Sequence, residues 1–427
     1  MPDNLEDWLA LLERRHPVSI DLGLERCNTV WRRMGSPQPA PQIFMVAGTN
    51  GKGSTVATLC ALLGAMGYRF GSYTSPHLVD YNERVRVNGI RASDQQLISA
   101  FERVEAVRGD SSLSYFEFGT LAAIDLLSRA KLEFAVMEIG LGGRLDAVNI
   151  LDADCAVITP IGLDHQAYLG DNLLSIGREK AGIIRPGRPV ISGQPDPPST
   201  ITEAAREQDA PLQRLGREFT VERYQDHVRL ELQQGPIELP LPVLDGPHQL
   251  NNMATAVAAF IELVPAAAED PDTLARGLKS VSLHGRFEQV LQRPVVWVDV
   301  GHNPMAAQAV ALALSEARKA RCIKSVRCVL AILADKDAEG VVEELRPAIA
   351  SWYCAGLEGE RGQSGAELAD RLESAGLPVE IKVFERVSSA IDAAISDSDP
   401  DDGILVFGSF FTAGEALLHS RSWNHDK

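Results

Sequence analysis

The sequence is short of positive charge: 41 Lys and Arg stand against 58 Asp and Glu, a formal net charge of −17 over 427 residues. An acidic surface of this size repels phosphate backbones and anionic lipid, which excludes nucleic acid and membranes as general partners. Any polyanionic ligand must be held by focused local devices. Cysteine is scarce. The six present, Cys27, Cys60, Cys155, Cys322, Cys328 and Cys354, form no CxxC pair and no regular spacing. That excludes a disulfide- or metal-stapled module and reads as ordinary buried thiols in a reducing compartment. The opening Met1-Pro2-Asp3-Asn4-Leu5-Glu6-Asp7 has neither a cationic nor an apolar region, and the longest uncharged stretches, such as 53–68, are broken by Gly and polar residues. These absences predict a soluble, cytoplasmic protein.

What is present is an alternation of short apolar runs with helical patterns, which predicts an α/β fold around a largely parallel sheet in two or three domains. Leu5, Trp8, Leu9 and Leu12 recur at helical spacing behind the cap candidates Asp3 and Asn4. Strands are expected over 43–47, 134–139 and 155–159, helices over 55–66 and 116–130, and a proline-rich connector over 185–198. Across 219–241 apolar and polar residues alternate around Gln234-Gly235, as expected of a small antiparallel sheet appended to the first domain. A helix over 251–264 follows. The α/β rhythm restarts after His284-Gly285-Arg286, with strands over 295–300, 327–333 and 404–407 and a helix over 304–318, so a domain boundary is expected between 286 and 294.

Four segments carry residues suited to chemistry. Gly48-Thr49-Asn50-Gly51-Lys52-Gly53-Ser54-Thr55 lies between a strand and a helix, the context of a phosphate cradle: glycines turn backbone N–H groups inward and Lys52 adds a mobile cation. The strict Walker A spacing fails, because Val46 stands at the first glycine position and Gly53 follows the lysine; the alternative is a plain glycine-rich turn. Glu138 ends an apolar strand, the placement of a carboxylate that holds Mg²⁺ beside a nucleotide, although strands also end in Glu by chance. Asp164-His165, just past a strand, offers a further oxygen or nitrogen ligand or a structural histidine. Asp299-Val300-Gly301-His302-Asn303-Pro304 places an acid and a histidine at a strand end, where α/β sheets bind ligands, or simply caps a helix.

Taken with Ile20-Asp21-Leu22-Gly23, Thr74-Ser75-Pro76-His77, Glu83-Arg84-Val85-Arg86, Tyr115-Phe116-Glu117-Phe118, Gly177-Arg178-Glu179-Lys180-Ala181-Gly182 and Phe407-Gly408-Ser409, these segments follow one order along nearly the whole chain. In that order the chain resembles the folylpolyglutamate synthase family, in its bacterial bifunctional dihydrofolate synthase branch, within the Mur ligase superfamily. The resemblance implies an N-terminal P-loop-type, mostly parallel sheet domain (1–286) with a small appended antiparallel sheet, and a smaller C-terminal Rossmann-like α/β domain (294–427). It implies an ATP-dependent ligase: a substrate carboxylate is phosphorylated to an acyl phosphate, which the amine of L-glutamate attacks to form an amide.

By the same resemblance, Thr49, Asn50, Gly51 and Lys52 would hold ATP phosphates, Asn252 (or the neighbouring Asn251) adenine, Arg286 the phosphates and Asp299 the ribose. Ser75, Glu138 and His165 would ligate Mg²⁺. Lys180 would be carbamylated and bind a second Mg²⁺, the alternative being a surface lysine paired with Glu179. Lys52, Lys180 and His302 are the expected catalytic groups. Ile20, Asp21, Leu22, Ser114, Tyr115, Phe116, Glu117, Leu145, Asp146 and Ala147 would receive dihydropteroate, Phe116 being equally readable as a core aromatic. Ser409 and Lys336 are the candidates for glutamate. A site drawing on both domains implies closure near Gly285. Mg²⁺ and ATP are the expected cofactor and co-substrate, with any role for K⁺ left open. The expected partners are small molecules only (ATP, L-glutamate, dihydropteroate and reduced folates), and the expected state is a monomer. Two rival readings stand beside this one. A Mur-type ligase of nucleotide-linked precursors would carry Thr after the loop lysine and a separate N-terminal domain, for which about 42 residues before the first strand are too few. A non-catalytic nucleotide-binding protein would have lost Glu138, His165 or Lys180.

Overall fold

A computed structural model describes residues 2–16, 21–376 and 380–424. The chain divides into two units. The first comprises Met1–Gly162, Gln166–Val243 and Leu250–Val281; the second comprises Leu163–His165, Leu244–Gln249 and Ser282–Lys427.

The first unit opens with α1 (Leu5–Arg15), capped as expected by Asn4, whose side chain accepts from Asp7 N at 2.8 Å. Next come α2 (Glu25–Arg33), β1 (Gln42–Ala47), α3 (Lys52–Ala65), β2 (Phe70–Tyr73), β3 (Val85–Val87), β4 (Ile90–Arg91), α4 (Asp94–Arg108), α5 (Tyr115–Ser128), β5 (Phe134–Glu138) and β6 (Cys155–Ile158). They are followed by α6 (Gln166–Leu169), α7 (Leu173–Ala181), β7 (Val190–Ser192), α8 (Ser199–Glu207) and β8 (Leu212–Arg214). The eight strands form one sheet in the order β4-β3-β2-β5-β1-β6-β7-β8, parallel from β2 to β8. Alternation along β1 shows why it sits at the centre. Ile43, Met45 and Ala47 enter the core on one face, with Trp8, Phe101 and Phe118; Phe44 and Val46 enter the other, with Leu59, Leu62 and Phe260.

The alternating segment forms a three-stranded antiparallel sheet of β9 (Thr220–Arg223), β10 (His227–Leu232) and β11 (Gly235–Pro240), as expected, and α9 (Pro247–Leu263) and α10 (Pro271–Lys279) follow. The connector expected over 185–198 is only partly one. Val190-Ile191-Ser192 pairs in parallel with β6 and β8, a three-residue ladder that the surrounding prolines hide and that only its neighbours make possible.

The second unit contains β12 (Glu288–Gln292), β13 (Val295–Val298), α11 (Pro304–Arg321), β14 (Val326–Leu330), α12 (Ala338–Leu345), β15 (Ser351–Ala355), α13 (Gly365–Ser374), β16 (Ile381–Phe384), α14 (Val387–Ser396), β17 (Gly403–Phe407) and α15 (Phe410–Ser420). Its six-stranded sheet runs β12-β13-β17-β14-β15-β16, with only β12 antiparallel. Among the described residues, no helix is long and apolar enough to cross a membrane.

Candidate active site

β1 ends at Ala47, between β5 and β6, and the chain then turns through Gly48 to Gly51 into α3. Gly48 has φ +150° with the Thr159 side chain where a Cβ would stand, and Gly51 has φ +91° against the Asn252 amide. Both positions exclude a side chain. The amides of Thr49 and Asn50 donate to Pro160 O at 3.0 and 3.4 Å, while Thr49 Oγ1 donates to Gly162 O at 3.0 Å, so the loop after β6 fixes the loop after β1. α3 starts at Lys52 without a side-chain cap, and its first amides supply positive potential there. Lys52 Nζ folds back to donate to Gly48 O and Thr49 O, both at 3.1 Å.

Lys180 Nζ also donates to Gly48 O, at 2.8 Å, from a side chain buried to 3% exposure. Lys180 is therefore a buried lysine and not a surface one. Successive helical residues diverge by about 100°, and Glu179 faces outward to Arg144 Nη2 at 2.8 Å. Glu138, 5% exposed, ends β5 opposite Val46 of β1. Ser75 follows β2, whose Tyr73 pairs with Met137, so both residues lie at the same carboxyl edge of the sheet.

The three segments expected to receive dihydropteroate converge. Gly23 N donates to Leu145 O at 3.2 Å, and Arg26 bridges Asp21 (2.8 Å) and Glu117 (3.0 Å). The Phe116 ring lies against Gly140, which has no room for a Cβ. Ile20 lies outside the described residues. Leu22 and Tyr115 are half-buried, the latter against the Arg84 guanidinium at 5.6 Å, and Ala147 is buried. Ser114 is the N-cap of α5: its Oγ accepts from Glu117 N while Glu117 Oε2 accepts from Ser114 N. Burial pushes the Asp146 carboxyl up to about 6, even though it accepts the amides of Leu141 and Val148 at 2.8 and 2.9 Å.

In the second unit, Asp299 is buried and accepts Gly301 N at 2.7 Å and Phe287 N at 2.8 Å; Arg286 lies over the Phe410 ring at 5.3 Å. Asp164, His165 and His302 could supply three metal-ligand atoms within 4.8 Å of one another. That cluster already contains a cation, since Lys336 Nζ donates to Asp164 Oδ1 at 2.5 Å. Burial would raise the Asp164 carboxyl, but His302, His165 and Lys336 together hold it well below the usual carboxylate range. Ser409 caps α15, accepting Thr412 N at 3.0 Å.

A curated dihydrofolate synthase/folylpolyglutamate synthase of Escherichia coli is 43% identical to the chain over 414 residues, covering 97% of this chain and 94% of that one. The chain belongs to the dihydrofolate synthase/folylpolyglutamate synthase family. Like its family it is a ligase. The solved structure of E. coli FolC in complex with DHPP and ADP is similar to it at a TM-score of 0.92 and 42% identity, covering 99% of this chain and all of that one. A second dihydrofolate synthase/folylpolyglutamate synthase structure, with Mn, AMPPNP and L-glutamate bound, matches at a TM-score of 0.87 and 42% identity over 98% of each chain. The family described as "Mur ligase, glutamate ligase domain" matches residues 285–410, within the second unit.

Two arrangements within this dihydrofolate synthase/folylpolyglutamate synthase chain escape a sequence reading. Arg84 is buried between the Tyr81 and Tyr115 rings at 5.1 and 5.6 Å and donates from Nε to His77 Nδ1 at 2.9 Å. Burial, with the Arg84 charge beside it, lowers the His77 imidazole to about 4, so the ring is a neutral acceptor. Asp164 is the other: its partners stand 139 and 172 positions away, a separation no local motif reveals.

Proposed function

We propose that the chain adds L-glutamate to dihydropteroate and to folate mono- and polyglutamates, using ATP. The observation that carries this reading is the shared anchoring of Lys52 and Lys180 on the Gly48 carbonyl, at one carboxyl sheet edge with Glu138. Lys52 and the first amides of α3 counter phosphate charge there despite the acidic surface. Thr49, Asn50, Gly51 and Lys52 bind the ATP phosphates in this reading and Asn252 the adenine. In the second unit, Arg286 and Asp299 are the proposed nucleotide contacts and His302 the proposed catalytic histidine. The segments around Asp21, Phe116 and Asp146 take the pteroate: a flat ring system suits Phe116, and its N–H donors suit a carboxylate.

Ser75 and Glu138 offer the hard oxygen donors that a small divalent cation requires, and the reading takes that ion as Mg²⁺. His165 is the remaining proposed ligand, and Lys180, if carbamylated, would serve a second ion. When bound, such an ion withdraws charge from the phosphates. The substrate carboxylate attacks the γ-phosphorus and ADP leaves; the glutamate amine attacks the resulting acyl phosphate and phosphate leaves, completing the amide. The chain's own contribution is to align two anionic partners and neutralise their charge. A monomer in a reducing cytoplasm is the proposed setting, in line with six free cysteines. Phosphate release with ATP and L-glutamate, first with dihydropteroate and then with a reduced folate monoglutamate, tests the proposal. Well-folded protein with no glutamate-dependent turnover on either acceptor would refute it.

A further inference from the structure

A carboxylate presents about four lone-pair directions, and Asp164 has four donors. Oδ1 accepts His165 N at 2.8 Å and Lys336 Nζ at 2.5 Å; Oδ2 accepts Asn303 Nδ2 at 3.0 Å and faces His302 Nε2 at 3.3 Å. Both partners of the central ion pair are buried, with side-chain exposures of 5% for Lys336 and 8% for Asp164.

Each donor is aimed by a second contact. Asn303 caps α11, its Oδ1 accepting Ala306 N at 2.9 Å, which leaves the Nδ2 end for Asp164. His302 Nδ1 lies 3.0 Å from Val300 O, so Nε2 points at the carboxylate. The turn that carries Lys336 is clamped by Arg371, which donates to Lys336 O at 2.6 Å and is tied to Glu339 at 2.6 Å. His165 adopts φ +52°, a left-handed conformation that a histidine holds only when its surroundings enforce it.

We propose that Asp164 is a positioning residue for the ligase reaction, fixing the Lys336 ammonium in one orientation. This rests on the functional reading above, with Lys336, a glutamate candidate of the family resemblance, as the group that receives glutamate. A lysine ammonium on a flexible four-carbon stem has three N–H donors. Asp164 takes one at 2.5 Å and so fixes where the head group lies, with its remaining N–H donors to meet an incoming carboxylate oxygen. In this proposal Asp164 acts through Lys336.

The test is steady-state phosphate release with L-glutamate varied at saturating ATP and dihydropteroate, on the full chain, in wild type, Asp164→Asn, Lys336→Met and the double variant. Asp164→Asn is expected to lower kcat/KM for L-glutamate by about 30-fold while KM for ATP stays within about threefold. Because the two residues act as one unit, the double variant should lose no more than Lys336→Met alone. Multiplicative losses in the double variant, or an Asp164→Asn enzyme within about threefold of wild type, overturn the proposal. Asp164→Glu keeps the buried charge but moves the carboxylate by a methylene. It should lose about tenfold in the same parameter and decides the matter if Asp164→Asn does not fold; a wild-type value overturns it. Wild type without glutamate-dependent turnover would instead overturn the functional reading, before any variant is made.

Discussion

Lys180 Nζ donates to Gly48 O at 2.8 Å, across 132 positions of sequence. The bond joins α7 to the loop that precedes α3, and Lys52 donates to the same carbonyl at 3.1 Å. Lys180 thus sits at the loop proposed to hold phosphate. Lys180→Ala is therefore expected to reduce glutamate-dependent phosphate release by on the order of 100-fold or more. A near-wild-type rate would remove Lys180 from the site.

Gly51→Ala places a methyl against the Asn252 amide at φ +91°. Strain of this kind costs about 1–3 kcal/mol. The variant should melt earlier than wild type and bind AMPPNP at least about tenfold more weakly, as read by calorimetric titration. Unchanged affinity would mean that neither the loop conformation nor Asn252 bears on nucleotide.

Ser114→Ala separates capping from recognition. The hydroxyl is already engaged by Glu117 N at 3.2 Å, so its loss should cost about 1 kcal/mol in denaturant unfolding. KM for dihydropteroate should change by less than about threefold. A large KM effect with unchanged stability would assign the hydroxyl to the substrate.

Asp146 gives a pH signature. Its folded pKa, about 6, lies above the ordinary 3.8 because burial penalises the charged form. Its contribution to stability is therefore fully present below 3.8 and is lost as pH rises through about 6. The stability of wild type relative to Asp146→Asn should fall by up to about 3 kcal/mol between pH 4 and 7. Parallel pH profiles for the two proteins would contradict the buried assignment.

His77 moves the other way. With its folded value lowered to about 4, the ring stays neutral across the physiological range, and the stability this confers is present above 6.5 and lost as pH falls through 4. Imidazole ¹⁵N shifts of His77 should be constant from pH 5 to 8, whereas a midpoint near 6.5 would mean that the Arg84 contact does not persist in solution.

Much of this was legible in the sequence. The central strands announced themselves as apolar runs, and the glycine loop was marked by residues that only a tight turn before a helix needs. Alternation over 219–241 identified the antiparallel sheet because a half-buried strand has period two. β7 was not legible: three residues between prolines carry too little pattern, and the ladder is supplied by β6 and β8. The candidate site was legible as a set of motifs, but Ser114, Glu117 and Ser409 also cap helices, a second role that emerges only once the helix starts are known.

The sequence by itself determined the α/β class, the position of the phosphate-type loop and the family, because each depends on local periodicity or on residues adjacent in the chain. Tertiary structure decided which side chains meet. It buried Lys180 onto Gly48 and turned Glu179 away to Arg144, although the two are neighbours in sequence, because a helix directs adjacent residues to different faces. It also gathered His165, His302, Asn303 and Lys336 around Asp164. Such long-range convergence leaves no spacing in the chain to read.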